Sequence, residues 1–200
     1  MTSGRKKSFD EDTALNAAMD VFWQKGYVGA SLTDLTKRMG INKPSMYSAF
    51  GNKESLFIKA THCYIETKMK PHIELLFEED VSLKQRFKNH MMSIVAMQCD
   101  SEQAQGCYLV LCQSELVSGD IPEQAASILK EADVMPIQLY TELFTSDIES
   151  IELGLNKNAQ ANGLALYTML KGTASMARSG IDKSTLEYSI DRILAGIGLH

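Results

Sequence analysis

Two hundred residues, 44% hydrophobic, 22% charged and 8% aromatic, bound this chain to one or two soluble globular domains with a sizeable buried core. No apolar run reaches the length of a membrane span and the N-terminus lacks the apolar stretch of a secretory signal, so neither a membrane protein nor an exported one is expected. The net charge of −5 argues against a nucleic-acid partner only until it is divided by position: residues 1–60 hold nine Lys or Arg against six Asp or Glu, and residues 61–200 hold eleven against nineteen. A basic N-terminal segment therefore precedes an acidic body.

In chain order, nearly every segment reads as helix and no period-2 strand emerges. From Asp10 to Lys25 the apolar residues Leu15, Ala18, Met19, Phe22 and Trp23 recur at helical spacing, and Gly26 stops the helix. Ser31 caps a second helix with Asp34 as a capping-box partner, and Gly40 ends it. Asn42 caps a third, with Lys43 and Pro44 in its first turn, where the missing proline N–H costs little. Ile41 and Met46 fit a hydrophobic staple at its entry. Gly51 and Asn52 lead into a long fourth helix that runs to about Lys70, before Pro71. Further amphipathic stretches cover 82–98, 107–117, 122–145, 159–179 and 184–199, with Pro136 expected to kink or split the third of these. The fold class is all-α with about nine helices, divided into an N-terminal three-helix domain over 1–56 and a helical domain over 57–200.

The segment from Ser31 to Phe50 has the build of a helix-turn-helix reader, in which one helix braces and the next enters the DNA major groove. In the third helix Met46, Ala49 and Phe50 face inward, leaving Lys43, Ser45, Tyr47 and Ser48 outward. Lys43 suits guanine O6 or N7, and Pro44 suits a thymine methyl. Ser31, Thr33, Tyr47 and Lys53 suit phosphate oxygens.

The stretch from Ala14 to Phe57 resembles the DNA-binding domain of the TetR family of bacterial repressors. The matching features are Ala17-Ala18, Val21-Phe22, Gly26-Tyr27, Ser31-Leu32, Gly40-Ile41-Asn42-Lys43, Tyr47, Phe50 and Lys53-Glu54-Ser55-Leu56. The resemblance implies phosphate contacts from Ser31, Thr33, Tyr47 and Lys53, and base contacts from Lys43, Pro44, Ser45 and Ser48. Asn42 stands where a serine cap is common, and Pro44 where glycine or another small residue is common. The resemblance further implies a ligand-released homodimeric repressor whose partners are palindromic double-stranded operator DNA, a second copy and a small-molecule effector; without an export signal in the sequence, a cytoplasmic location is expected.

For the second copy, Leu186, Ile190, Ile193, Leu194 and Ile197 form one apolar stripe, and the preceding helix offers Leu164 and small residues including Gly172. Such a stripe is also ordinary monomer core, but a reader with one short helix needs a twin. For the effector, the middle of the chain supplies Met91, Met92, Met97, Tyr108, Met135, Tyr140, Phe144, Tyr167 and Met169 as adaptable apolar surface. From these and Cys107 come the candidate contacts Met97, Cys107, Tyr108, Tyr140, Phe144 and Tyr167.

Four cysteines, Cys63, Cys99, Cys107 and Cys112, are expected as thiols in a reducing compartment. Cys107 follows Gly106 at a helix start, a setting that favours thiolates in general, so the alternative function is a redox- or electrophile-responsive regulator with Cys107 as sensor. His62, His72 and His90 show no metal-ligand spacing. Dinucleotide, P-loop, zincin and nucleophile-elbow motifs are missing from the sequence, so neither enzyme, metal nor cofactor is expected.

Overall fold

The computed structural model describes residues 9–200, and among them the ordered elements are eleven α-helices joined by short 3₁₀ and π turns. Helix α1 (Glu11–Gly29) starts where Asp10 accepts the Thr13 amide at 3.0 Å. It breaks at Gly26, whose φ of 72° lies in the left-handed region that glycine alone enters freely. Helix α2 (Leu32–Met39) carries a complete capping box: the Asp34 amide donates to Ser31 Oγ at 3.0 Å, and the Ser31 amide donates to the Asp34 carboxylate at 3.2 Å. Helix α3 (Lys43–Phe50) starts at Asn42, which accepts from the Ser45 amide at 2.9 Å. Helix α4 (Lys53–Tyr64) starts at Asn52, which accepts from the Ser55 amide at 2.8 Å.

The fourth helix does not stop before Pro71. It widens into a π turn (Ile65–Met69) and continues as α5 (Lys70–Glu74). A proline inside an α-helix lacks one N–H and crowds the carbonyl four residues earlier; a wider turn just ahead of it absorbs both effects.

The body contains α6 (Leu83–Gln98), α7 (Tyr108–Ser114), α8 (Glu123–Ser146), α9 (Ile148–Glu152), α10 (Ala159–Arg178) and α11 (Lys183–Gly196). Helix α7 is shorter than the amphipathic pattern suggests and tightens into a 3₁₀ turn (Glu115–Ser118) ended by left-handed Gly119. Pro136 does not split α8. Pro136 and Ala132, one turn earlier, both border a cavity, so the pyrrolidine ring meets open space rather than packed side chains.

Two apolar clusters hold the chain together. The first joins α1–α4 to Cys107 and to Tyr108, Leu109 and Cys112 of α7 and Ala125, Leu129 and Ala132 of α8. The second joins α6, the later half of α8, α10 and α11. Helix α11 packs on α6 and α10, and that packing takes up its apolar stripe. Leu186, Ile190 and Leu194 are each no more than 2% exposed within this one chain. They are core residues and leave no surface for a second copy, contrary to the interface expected of them. Ile193 and Ile197 are half-buried at the edge of the same cluster. Leu164 and Gly172 lie on the opposite, exposed side of α10.

Candidate nucleic-acid interface and interior cavity

Helix α3 docks through Met46, fully buried, and Phe50. With those two fixed inward, the helical period puts Lys43, Pro44, Tyr47 and Ser48 in solvent, while Ser45 is half-buried. Ser31 and Thr33 at the start of α2 are exposed as well. Two neighbouring pairs of charges neutralise each other, Lys25 with Asp34 at 2.8 Å and Arg38 with Asp20 at 2.9 Å. Hydrogen bonds from Lys25 and then Ser31 hold the Asp34 carboxyl at about 2, so it stays ionised as the α2 cap. Among the described residues Lys43 has no ion pair, which leaves its cation available on the outward face. The arrangement presents hydroxyls, one ring edge and one cation from a rigid, capped helix.

Lys53 is held differently. Its ammonium sits 4.5 Å from the centre of the Tyr27 ring, and half-burial lowers its pKa while Glu115 opposes that shift. Glu115 belongs to the turn after α7, yet its carboxylate accepts the amides of Tyr27 at 2.7 Å and Val28 at 3.2 Å. These are the N–H groups freed where α1 breaks. A side chain at Gly26 would place its Cβ 2.2 Å from Glu115 Oε1. Trp23 Nε1 donates to the Gly106 carbonyl at 3.3 Å, and Arg178 donates to the Trp23 carbonyl at 3.1 Å. Phe57 meets Phe22 and Tyr27 edge-on and stacks on Tyr108, which stacks in turn on Tyr64. The reader is thus bolted to the body through α7.

The other wall of α7 borders a cavity of about 60 Å³. Apolar side chains from the π turn and α5 (Ile65, Met69, Ile73), from α6 (Ile94), from α7 (Leu109, Val110) and from α8 (Met135, Leu139) make most of its lining. Polar members are His90, Gln98, Cys107, Tyr140, Tyr167 and Lys171. Each has an internal partner. His90 Nδ1 lies 2.7 Å from the His72 carbonyl and Nε2 lies 2.6 Å from the Tyr140 hydroxyl. Gln98 donates to the Leu170 carbonyl and accepts from Thr173. Tyr167 and Lys171 both donate to Asp133 Oδ1, at 2.7 and 2.6 Å. Cys107 Sγ receives the Tyr64 hydroxyl at 3.5 Å.

The sequence profile of the family described as "Bacterial regulatory proteins, tetR family" matches residues 14–60. The uncharacterized HTH-type transcriptional regulator YezE of Bacillus subtilis is 31% identical over 88% of this chain and 93% of its own length. The chain belongs to the TetR family. The HTH-type transcriptional repressor ComR of Escherichia coli is 35% identical over 66% of this chain, a match that spans only 62% of ComR. Among solved structures, a cysteine mutant of the TetR-family regulator CifR, complexed with 26-base-pair operator DNA, superposes with a TM-score of 0.84. It is 30% identical, and the match covers 96% of this chain and 98% of that one. The chain is accordingly a helix-turn-helix transcriptional regulator.

Within this TetR protein the eight residues read as DNA contacts cluster at one end, on α2, α3 and the start of α4, with Ser45 and Lys53 the least exposed. The candidate effector contacts are dispersed. Cys107, Tyr140 and Tyr167 line the cavity. Tyr108 is fully buried in the aromatic stack and shares a 2.8 Å hydrogen bond with Thr61, while Phe144 stacks on Phe87 in the second core. Met97 lies in a separate open cleft beside His72 and Cys99. His90, Gln98 and Lys171 escaped the sequence reading because an isolated polar residue in an amphipathic helix gives no sign that it faces a void. The π turn carrying Ile65 and Met69 left no signal beyond Pro71.

Proposed function

We propose that this regulator is a ligand-released homodimeric repressor that places two copies of α3 in successive major grooves of a near-palindromic operator. The observation that carries the reading is α3 itself, capped at Asn42, docked through Met46 and Phe50, and turned so that exposed Lys43 leads its solvent face. One such helix reads a few base pairs; tight binding calls for a second at about 34–36 Å, one helical turn away. The repressor names of relatives such as ComR support the sign of regulation. The operator complex of CifR supports duplex DNA as the partner.

The effector site in this reading is the cavity beside α7. Its wall includes α7, and the turn after α7 carries the Glu115 grip on α1. A molecule that fits the cavity only when α7 shifts would favour a reader misaligned with its grooves; a swing from 99:1 to 1:99 requires about 5.5 kcal/mol of differential binding. Burial of Cys107 beneath the Tyr64 hydroxyl argues against the freely accessible sensing thiol of the alternative reading. Selection of bound duplexes from a random pool tests the proposal. A two-fold symmetric site is the expected product, and an asymmetric site or unselective binding overturns it.

A further inference from the structure

The hydrogen bonds inside the cavity have a direction, and that direction selects ligands. His90 Nδ1 faces the His72 carbonyl, which has no proton to give, so Nδ1 carries the ring hydrogen. Burial, partly offset by that bond, lowers the His90 pKa to about 4, so at neutral pH the ring holds one proton only. Nε2 is then an acceptor, and the 2.6 Å contact is a hydrogen bond donated by the Tyr140 hydroxyl. That hydroxyl has no hydrogen left for a guest. Its oxygen still has a lone pair.

Gln98 is held at both amide atoms, by Leu170 and Thr173, and retains one amide hydrogen. The charge of Lys171 is answered by Asp133. The remaining wall is apolar, and an ion moved into it would lose its hydration without a free counter-charge. The space of about 60 Å³ is below the about 150 Å³ of an apolar cavity that holds benzene. Met135, 40% exposed, and Met69 are unbranched walls that can move aside for a single ring.

From this geometry we infer that the cavity takes a small uncharged alcohol, mostly apolar, whose hydroxyl donates to the Tyr140 oxygen. A hydroxyl also accepts, so it can use the spare Gln98 hydrogen; an ether or ketone can use only the latter. The inference rests on the cavity being the effector site, but its test does not depend on operator release.

Benzyl alcohol and anisole are isomers of C7H8O, one with a hydroxyl and one with an ether oxygen. Titration of the intact protein with each, followed by calorimetry or by shifts of the Tyr140 and His90 resonances, reads the preference directly. Benzyl alcohol is expected to bind about tenfold more tightly than anisole, and benzoate not measurably. His90→Leu frees the Tyr140 hydrogen and is expected to bring anisole to within about twofold of the alcohol, a gain that general damage to the fold does not produce. Equal affinities in the parent protein, preference for anisole or benzoate, or no binding of the alcohol would overturn the inference. Operator binding measured in the same samples bears on the repressor reading alone: an alcohol that binds without releasing DNA sinks release and leaves the ligand class standing.

Discussion

Desolvation at His90, opposed in part by its bond to the His72 carbonyl, sets a folded-state pKa of about 4 against 6.5 in the unfolded chain. Above pH 6.5 both states are neutral at this position and it contributes no pH dependence. As pH falls from 6.5 to 4 the unfolded chain takes a proton that the folded chain refuses, so stability is lost across that window, by about 3 kcal/mol at its lower end. Urea midpoints at pH 7 and pH 4.5 should therefore drop further in the parent than in His90→Gln; equal drops would show that His90 is not the group responsible. On the reader, Lys43→Ala should cost about 1–3 kcal/mol of operator affinity and relax discrimination at one base position. Lys53→Ala should weaken all duplexes alike and flatten the salt slope by about one unit. Competition assays at several salt concentrations separate the two, and identical behaviour of both variants would refute the division into base and phosphate contacts.

Among the elements, α7 joins the reader to the body through its contacts with α1, α8 and α10. Seven residues long, it offers Leu109 and Val110 to the cavity and Tyr108 to the aromatic stack, and the turn after it offers Glu115 to the broken end of α1. Glu115→Ala strands the Tyr27 and Val28 amides and should destabilise the chain by about 1–3 kcal/mol. Gly26→Ala forces a left-handed alanine whose Cβ displaces the same carboxylate. Because both changes break one contact, their effects on urea unfolding should sum to clearly more than the double variant shows; strict additivity would mean that Gly26 and Glu115 act independently. The local sequence announced most of the reader: Ser31 with Asp34, Asn42 and Asn52 are side-chain caps, and Gly26, Gly40 and Gly51 are stops, all governed by neighbours within four positions. It could not announce Glu115, whose partners lie 87 and 88 positions away, or the π turn, which a propensity pattern does not encode. Nor could periodicity tell Tyr140, which borders the cavity, from Phe144, one turn later in solid core.

For the molecule as a whole, the side of α11 that faces inward decides what remains for a twin. Leu186, Ile190 and Leu194 are occupied within the protomer, so the apolar period of α11 marks a face that packs inside its own chain. What α10 and α11 leave outside includes Leu164 at 49%, Met176 at 47% and Tyr188 at 68% exposure, with Gly172 between the first two. A Cβ at Gly172 meets nothing within 4 Å in its own chain. Gly172→Glu should accordingly leave the thermal midpoint of the protomer unchanged, yet convert dimers to monomers in sedimentation and abolish tight operator binding. A Gly172→Glu protein that remains dimeric would place the interface elsewhere. Ile190→Ala should do the reverse, costing about 2–5 kcal/mol of folding stability through a core cavity. The winding from Lys53 to Glu74 passes from α-helix to π turn and back, and both ends of the looser coil, Ile65 and Met69, press on the guest space. In the proposed ligand-released repressor a guest would push on the rod at this π turn, and a small rewinding there would rotate the whole reading head about its own stem, much as a slack thread lets a screw turn.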